Sequence, residues 1–381
     1  MAFPDHLLDE THVQFRKVCV DFARREIAPF ANEWEEAEEF PRELYAKAAA
    51  AGLLGVSFPE EVGGSGGTIV HAMVATEALL RGGSMGVLAG LGSLGIGLPP
   101  VVQAGDGDQI DRFVRPTLAG ETISALAITE PDTGSDVAGV RTTARRDGDD
   151  WVIDGAKMFI TSGVRADFVT VLARTGPDKH GGLTFFMVER GMPGFTVSRA
   201  LRKTGWRASD TAELAFDGVR VPDRNRIGRE GGGFQTLMRN FQAERMGLAV
   251  YGHAAAEIAL EEALRWARER KAFGRPLVGF QVTRHKLADM AMRVVAAKTL
   301  NYTLALRIAA GEMLVKEVSL AKNLAAEAAM SVCTEAVQIF GGMGYMRETL
   351  VERLSRDVRL LPIGGGTTEI MKEIVARSMG L

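Results

Sequence analysis

The sequence has 381 residues, 46% hydrophobic and 24% charged, a balance that fits a globular protein with a large apolar interior and excludes a disordered or fibrous chain. Its 45 basic residues are scattered among 48 acidic ones for a formal charge of -3, and the densest basic run, residues 265–271, is interrupted by Glu269, so no nucleic-acid partner is expected. Cys19 and Cys333 stand far apart in helix-like segments, which excludes a disulfide framework or a CxxC metal site and points to a reducing, cytoplasmic setting.

Residues 1–9 carry acids and a histidine where a secretory leader needs a basic start and an apolar run, so none is expected. Residues 10–32 and 42–51 space their apolar positions as helices do, and the glycine-rich residues 59–67 predict a loop between helical stretches. Residues 82–105 form the longest apolar run, but its glycines and the prolines at 99 and 100 predict a kinked helix pair and no membrane span. Within it, Gly90-Leu91-Gly92-Ser93-Leu94-Gly95 has the letters of a dinucleotide-binding turn but follows no strand, so a helix junction is expected. Gly63-Gly64-Ser65-Gly66-Gly67 likewise has the letters of a nucleophile elbow without the strand that would enter it. The six histidines never fall at metal-ligand spacing, so no metal site is expected.

From residue 119 the period changes to two. Residues 142–146 and 151–154 flank the turn Asp147-Gly148-Asp149-Asp150, and residues 168–173, 184–189 and 212–216 follow as further strands. Helical spacing returns at Gly233 and is broken at Gly274-Arg275-Pro276, at Gly311 and at Gly341-Gly342-Met343-Gly344. The expected fold is therefore α+β and multi-domain: a helical N-terminal domain (1–118), a central β-barrel-like domain (119–229) and a C-terminal four-helix bundle (230–381).

Two turns in the β-region carry chemistry. Residues 127–136, Ala-Ile-Thr-Glu-Pro-Asp-Thr-Gly-Ser-Asp, offer hydroxyls and backbone donors around a glycine, suited to a flavin edge or a pyrophosphate. Residues 155–163 then set Phe159 beside Thr161. In this order, between two helical regions, the pair resembles the acyl-CoA dehydrogenase family. The resemblance runs over essentially the whole chain: Arg270-Lys271-Ala272-Phe273-Gly274-Arg275-Pro276 with Phe280-Gln281, Gln338-Ile339-Phe340-Gly341-Gly342-Met343-Gly344-Tyr345, Arg356-Asp357, and Gly364-Gly365-Gly366-Thr367-Thr368-Glu369.

That resemblance implies FAD between the last two domains, an acyl-CoA substrate, electron-transferring flavoprotein as acceptor and a homo-oligomer, a tetramer in the family's manner. It implies that Leu126, Ile128, Thr129, Phe159, Ile160 and Thr161 face the isoalloxazine, and that Ser135 touches the cofactor and the CoA portion of the substrate. Arg270, Phe273, Gln281, Gln338, Gly341 and Gly342 are implied to contact the FAD of a partner subunit, Thr367 and Glu369 the subunit's own, and Arg245 and Gly366 to lie on the substrate side.

The pattern departs from the family at one point. Many members carry the catalytic glutamate immediately before the glycine-threonine of the last motif, where this chain has Gly365. The helix from Gly233 supplies another carboxylate. Phe234, Leu237, Phe241, Leu248, Tyr251, Ala255 and Ile258 recur at steps of three and four, and Glu244 falls on the same stripe. Burial there raises a carboxyl pKa towards the range of a general base, and Arg245 points roughly 100° away on the helix. Isovaleryl-CoA and long-chain acyl-CoA dehydrogenases are similar on both counts, with glycine at the usual site and glutamate on this helix. The expected reaction is removal of a C2 proton by Glu244 with hydride transfer from C3 to flavin N5, the Gly365 N–H donating to the thioester oxygen. The same dehydrogenation on a carrier-bound acyl group stays open, as does a silent acyl-CoA-binding protein; a flavin monooxygenase has no use for Glu244.

Overall fold

The structure, a computed structural model, describes residues 5–381, so the first four residues of the segment read for a leader lie outside it. A 3₁₀ turn, Asp5–Leu7, leads into α1 (Glu10–Phe22), whose first turn is closed reciprocally. The Asp9 carboxylate accepts from the His12 amide at 3.1 Å and the His12 ring accepts from the Asp9 amide at 3.3 Å. Then come α2 (Ala31–Ala37), α3 (Glu43–Ala50) and α4 (Ile69–Leu80), the last capped by Thr68 and His71 in the same manner. The glycine-rich loop lies before α4 as expected, and Gly63 there has φ 94, a conformation open to glycine.

The apolar run becomes α5 (Met85–Leu91), α6 (Leu94–Gly97) and α7 (Pro99–Ala104), with a bend of 42° between its halves. Among the described residues no single helix is long and apolar enough to cross a membrane. Short helices α8 (Gly107–Gln109) and α9 (Arg115–Leu118) end the first helical region.

Eight strands follow: β1 (Ser124–Ala127), β2 (Thr143–Asp147), β3 (Asp150–Thr161), β4 (Phe168–Arg174), β5 (Leu183–Glu189), β6 (Phe195–Ala200), β7 (Thr211–Pro222) and β8 (Arg226–Ile227). Their order is β6-β7-β3-β2-β4-β5-β8, with β1 parallel on β4. The β2–β3 hairpin turns at Gly148, φ 64, with Asp147 paired to Asp150. β6 is absent from the sequence reading because it is an edge strand exposed along nearly its whole length, with no buried face to impose alternation. The two end strands of the order do not pair with each other, so the barrel-like domain is an open sheet around its own core, which includes Trp151, Ile153, Phe186 and Leu214.

The remaining chain forms α10 (Gly233–Glu269), a two-residue-stranded hairpin β9 (Lys271–Ala272) and β10 (Arg275–Pro276), α11 (Gln281–Ala309), α12 (Val315–Phe340), α13 (Leu350–Asp357) and α14 (Thr368–Ser378). Small residues decide how closely α10 and α12 approach. A Cβ on Gly252 would lie 2.8 Å from the Ala325 carbonyl, and Ala255, Ala256, Ala259, Ala321, Ala325 and Ala329 are buried along the seam. One apolar cluster runs through both helical regions, from Phe22 and Leu44 to Leu260 and Val332, and holds α10 rigidly under the β-domain.

Candidate active site

Two strands bring the β-region motifs side by side. The Met158 amide donates to the Thr129 carbonyl at 2.8 Å, extending the line of β1 along β3. Ala125 and Ala127 face the sheet core while Leu126 and Ile128, half-buried, pack towards the helices, as strand alternation requires. The β3–β7 register slips between Lys157 and Ile160, and at this bulge Phe159 takes φ 62 and stands 65% exposed. A bulky side chain in the left-handed region is costly, and such strain concentrates at functional positions. Thr161 is half-buried in register with Thr211. Ile160 departs from expectation: it is 2% exposed and packed in the sheet core, because alternation sends it to the face opposite Phe159. Ser135 is exposed on the preceding turn.

A buried ion pair holds this turn. Lys157, fully enclosed, donates from Nζ to the Ile128 carbonyl and to Glu130 Oε1, both at 2.9 Å. Glu130 also accepts from the backbone amides of Arg141 at 2.7 Å and Thr142 at 2.8 Å, so its oxygens are saturated. Burial pushes the Lys157 ammonium down to about 8, opposed by the Glu130 charge. Burial also works against the Glu130 carboxylate, but Lys157 and the two amides keep it below its ordinary range.

Opposite lies α10. Along its stripe Leu237, Ala255 and Ile258 are buried, the Tyr251 ring lies tilted 5.5 Å from that of Trp206, and Glu244 is half-buried on the same stripe between Phe241 and Leu248. A Cβ built on Gly365 would come 3.5 Å from Glu244 Oε1 and 2.3 Å from Leu248 Cδ1, so the carboxylate and the glycine loop are direct neighbours. Gly365 and Gly366 have φ 62 and 97, conformations that suit glycine. By surface area the Glu244 residue is half-buried, while protein closely surrounds its carboxyl group. This desolvation raises its pKa, with Arg245 and Lys322 pulling the other way. No ion pair neutralises it among the described residues. Arg245 is 8% exposed, with its guanidinium 5.0 Å over the Phe241 ring and its Nε without a hydrogen-bond partner among those residues. Its Nη2 lies 4.0 Å from a Cβ built on Gly366. Thr367 caps α14, accepting from the Ile370 amide at 3.3 Å, and Glu369 is exposed on the first turn.

The other expected contacts lie elsewhere. Arg270, Phe273, Gln281, Gln338, Gly341 and Gly342 are all exposed, at the end of the bundle where α10 ends, α11 begins and α12 ends. Trp266 stacks on Phe340 at 4.6 Å and ties those ends together. At 1.5 Å per residue, Arg270 is on the order of 40 Å along α10 from Glu244. Phe273 is 96% exposed with φ 50, so it belongs to no core of this chain.

Two features escaped the sequence reading. Lys157 with Glu130 is one; Lys322 is the other, 1% exposed on α12 with its ammonium bonded to the Gly366 carbonyl. The signal for Lys322 is the one that exposed Glu244, a charge on an apolar stripe, here Val318, Ala321, Ala325 and Ala329. A separate cleft of about 740 Å³ lies between residues 33–42 and the β-domain, but its cations are engaged: Arg165 with Asp210 at 3.6 Å, Arg207 with Glu36 and Glu38 at 3.5 Å. The unpaired carboxylate of Glu244 beside the glycine loop is the better candidate for chemistry.

Comparison with known proteins matches three family models along the chain, described as acyl-CoA dehydrogenase N-terminal domain over residues 9–121, middle domain over 125–219 and C-terminal domain over 231–380. An acyl-CoA dehydrogenase of Bacillus subtilis (strain 168) is 40% identical over 374 residues, covering 98% of this chain and 98% of that protein. The mitochondrial long-chain specific acyl-CoA dehydrogenase of Sus scrofa is 38% identical, covering 98% and 87%. The crystal structure of a probable acyl-CoA dehydrogenase from Mycobacterium abscessus superposes with a TM-score of 0.97 at 53% identity, covering 98% of this chain and 100% of that one.

Proposed function

The chain belongs to the acyl-CoA dehydrogenase family, and we propose that within it this enzyme is of the isovaleryl and long-chain type, with Glu244 on α10 as the base. The observation that carries this reading is the approach of Glu244 Oε1 to Gly365, 3.5 Å from the position a side chain there would start from. A carboxylate from the helix thereby occupies the neighbourhood that a carboxylate from the loop fills in other members.

Members of the family bind FAD, which supplies the oxidising ring that takes a hydride from C3 of the substrate. The residues fit such a group. Phe159, thrown out by the bulge, offers an exposed aromatic face, and Thr161 and the tethered Thr129 offer hydroxyls beside it. Leu126 and Ile128 supply apolar surface that excludes water, and Ser135 is free to meet the CoA portion. Thr367 and Glu369 would hold the same subunit's cofactor.

Glu244 takes the C2 proton of the acyl thioester. Its burial without an ion pair raises its pKa in the direction a general base needs, and the charges of Arg245 and Lys322 oppose that rise. The Gly365 amide donates to the thioester oxygen as negative charge develops there, Gly366 lets the substrate approach closely, and Arg245 adds positive potential on the substrate side. Arg270, Phe273, Gln281, Gln338, Gly341 and Gly342, too distant to reach Glu244, would serve the FAD of a second copy, in keeping with a homo-oligomer of the tetrameric kind. Electron-transferring flavoprotein is the expected acceptor.

Replacing Glu244 with Gln tests the assignment. The variant should retain FAD and fold, yet bleach with acyl-CoA at least ~10³-fold more slowly under anaerobic conditions. Bleaching within tenfold of the parent enzyme would rule Glu244 out as the base.

A further inference from the structure

Three consecutive glycines, Gly364-Gly365-Gly366, form the loop that faces Glu244, and two of them have positive φ. Such a segment has more backbone freedom to lose than any other tripeptide, so something must pin it if its amide is to point in one direction. Two adjacent side chains of α12 do so. Lys322 donates from its ammonium to the Gly366 carbonyl, and Asn323 donates from Nδ2 to the Thr368 carbonyl at 3.1 Å. Lys322 is 1% exposed, and burying an ammonium there costs far more than a neutral donor would. A loop clamp alone needs only the neutral donor, as Asn323 demonstrates.

The charge has a second consequence. Four charged groups converge on this place: Glu244 and Arg245 from α10, Lys322 from α12 and Glu369 from α14. Arg245 and Lys322 are like charges near one another, an arrangement that is unfavourable unless negative charge is held or created between them. We propose that Lys322 is a positioning residue for the dehydrogenation: it fixes the glycine loop through the Gly366 carbonyl, and its charge, with that of Arg245, favours the carboxylate form of Glu244 beneath the substrate. This inference rests on Glu244 being the base.

The direction of the effect follows from the environment. Burial raises the Glu244 pKa and the two cations lower it, so removing one cation moves the acid limb of the rate profile to higher pH. Burial, joined by the Arg245 charge, also pushes Lys322 down to about 8, so it is largely protonated below pH 7.

The test uses the FAD-loaded enzyme and the variants Lys322→Gln, Lys322→Arg, Asn323→Ala and Glu244→Gln, with two readouts. One is the pH profile of kcat/KM; the other is hydrogen exchange at the amides of residues 364–368, which needs no turnover. Lys322→Gln should raise the acid limb by about one pH unit, while Lys322→Arg should leave it within about 0.3 unit because the charge is kept. Asn323→Ala should speed loop exchange and lower the rate with an unmoved limb, and it carries the clamp test if Lys322→Gln does not fold. An unmoved limb in Lys322→Gln, or a limb displaced equally in Lys322→Arg, overturns the electrostatic role; parental loop exchange in both Lys322→Gln and Asn323→Ala overturns the clamp. Full turnover in Glu244→Gln would instead sink the base assignment, and the two failures are thereby distinguished.

Discussion

Adding a single methyl group at Gly365 should cripple the enzyme. Alanine at φ 62 pays the left-handed backbone penalty, about 1 kcal/mol. Its Cβ would lie 2.3 Å from Leu248 Cδ1, so either that side chain retreats until the gap reaches at least 3.4 Å or the loop moves away from α10. Overpacking of this kind costs about 1–3 kcal/mol, for a total of roughly 2–4 kcal/mol. The same methyl would stand 3.5 Å from Glu244 Oε1, against the carboxylate that must reach the substrate. Displacing the Gly365 amide by about 1 Å corresponds to a loss of ~100-fold in kcat/KM.

Leu248→Ala separates the two contributions, because it removes the collision and leaves the backbone penalty. A double-mutant cycle on kcat/KM and on the thermal midpoint of the FAD-loaded enzyme should show positive coupling, with Leu248→Ala/Gly365→Ala recovering about tenfold over Gly365→Ala alone. A Gly365→Ala enzyme within threefold of the parent, with additive behaviour in the cycle, would refute the placement of Leu248 and the loop.

Two more predictions follow from buried charges. Lys157→Met leaves Glu130 buried and unpaired, so it should lower stability by about 3–5 kcal/mol and release FAD on gel filtration, with Glu130→Gln/Lys157→Met recovering part of both. Asp357 is fully enclosed, accepts from the Trp206 amide at 2.6 Å, and is raised to about 7 by burial and then by the neighbouring Glu35 charge. The folded protein therefore holds a proton on Asp357 that the unfolded chain has released above 3.8, and stability attributable to this group is lost as pH rises from about 4 to 7, by up to about 1.4 kcal/mol per unit. Thermal midpoints between pH 5 and 8 should fall less steeply in Asp357→Asn than in the parent, and parallel curves would contradict the assignment.

Much of the molecule was legible because it is written in local periods. The change from helical spacing to alternation and back marks the helical, sheet and helical order, and glycine with proline marks the breaks between helices. Glu244 stood out for the same reason, an acid in a row of apolar positions. Ile160 was misread because the motif was taken as a block, whereas the strand sends alternate residues to opposite faces and the bulge acts on Phe159. β6 was invisible because an edge exposed along its length has no buried face to write a pattern. Lys157 and Lys322 lacked any local partner: Glu130 belongs to the turn after β1, and Gly366 to a loop beyond the end of α12.

By itself the chain determined the helical, sheet and helical order, the apolar stripe of its long helix α10, and that one carboxylate lies on that stripe. Only the tertiary structure decided that this carboxylate meets Gly365, that Lys322 grips the next carbonyl, and that Phe273 stands in solvent. The reason is physical. Local preferences act over a few residues, whereas contacts between distant segments are set by how closely α10 and α12 can pack, and the small residues along that seam acquire their meaning only when both helices are present.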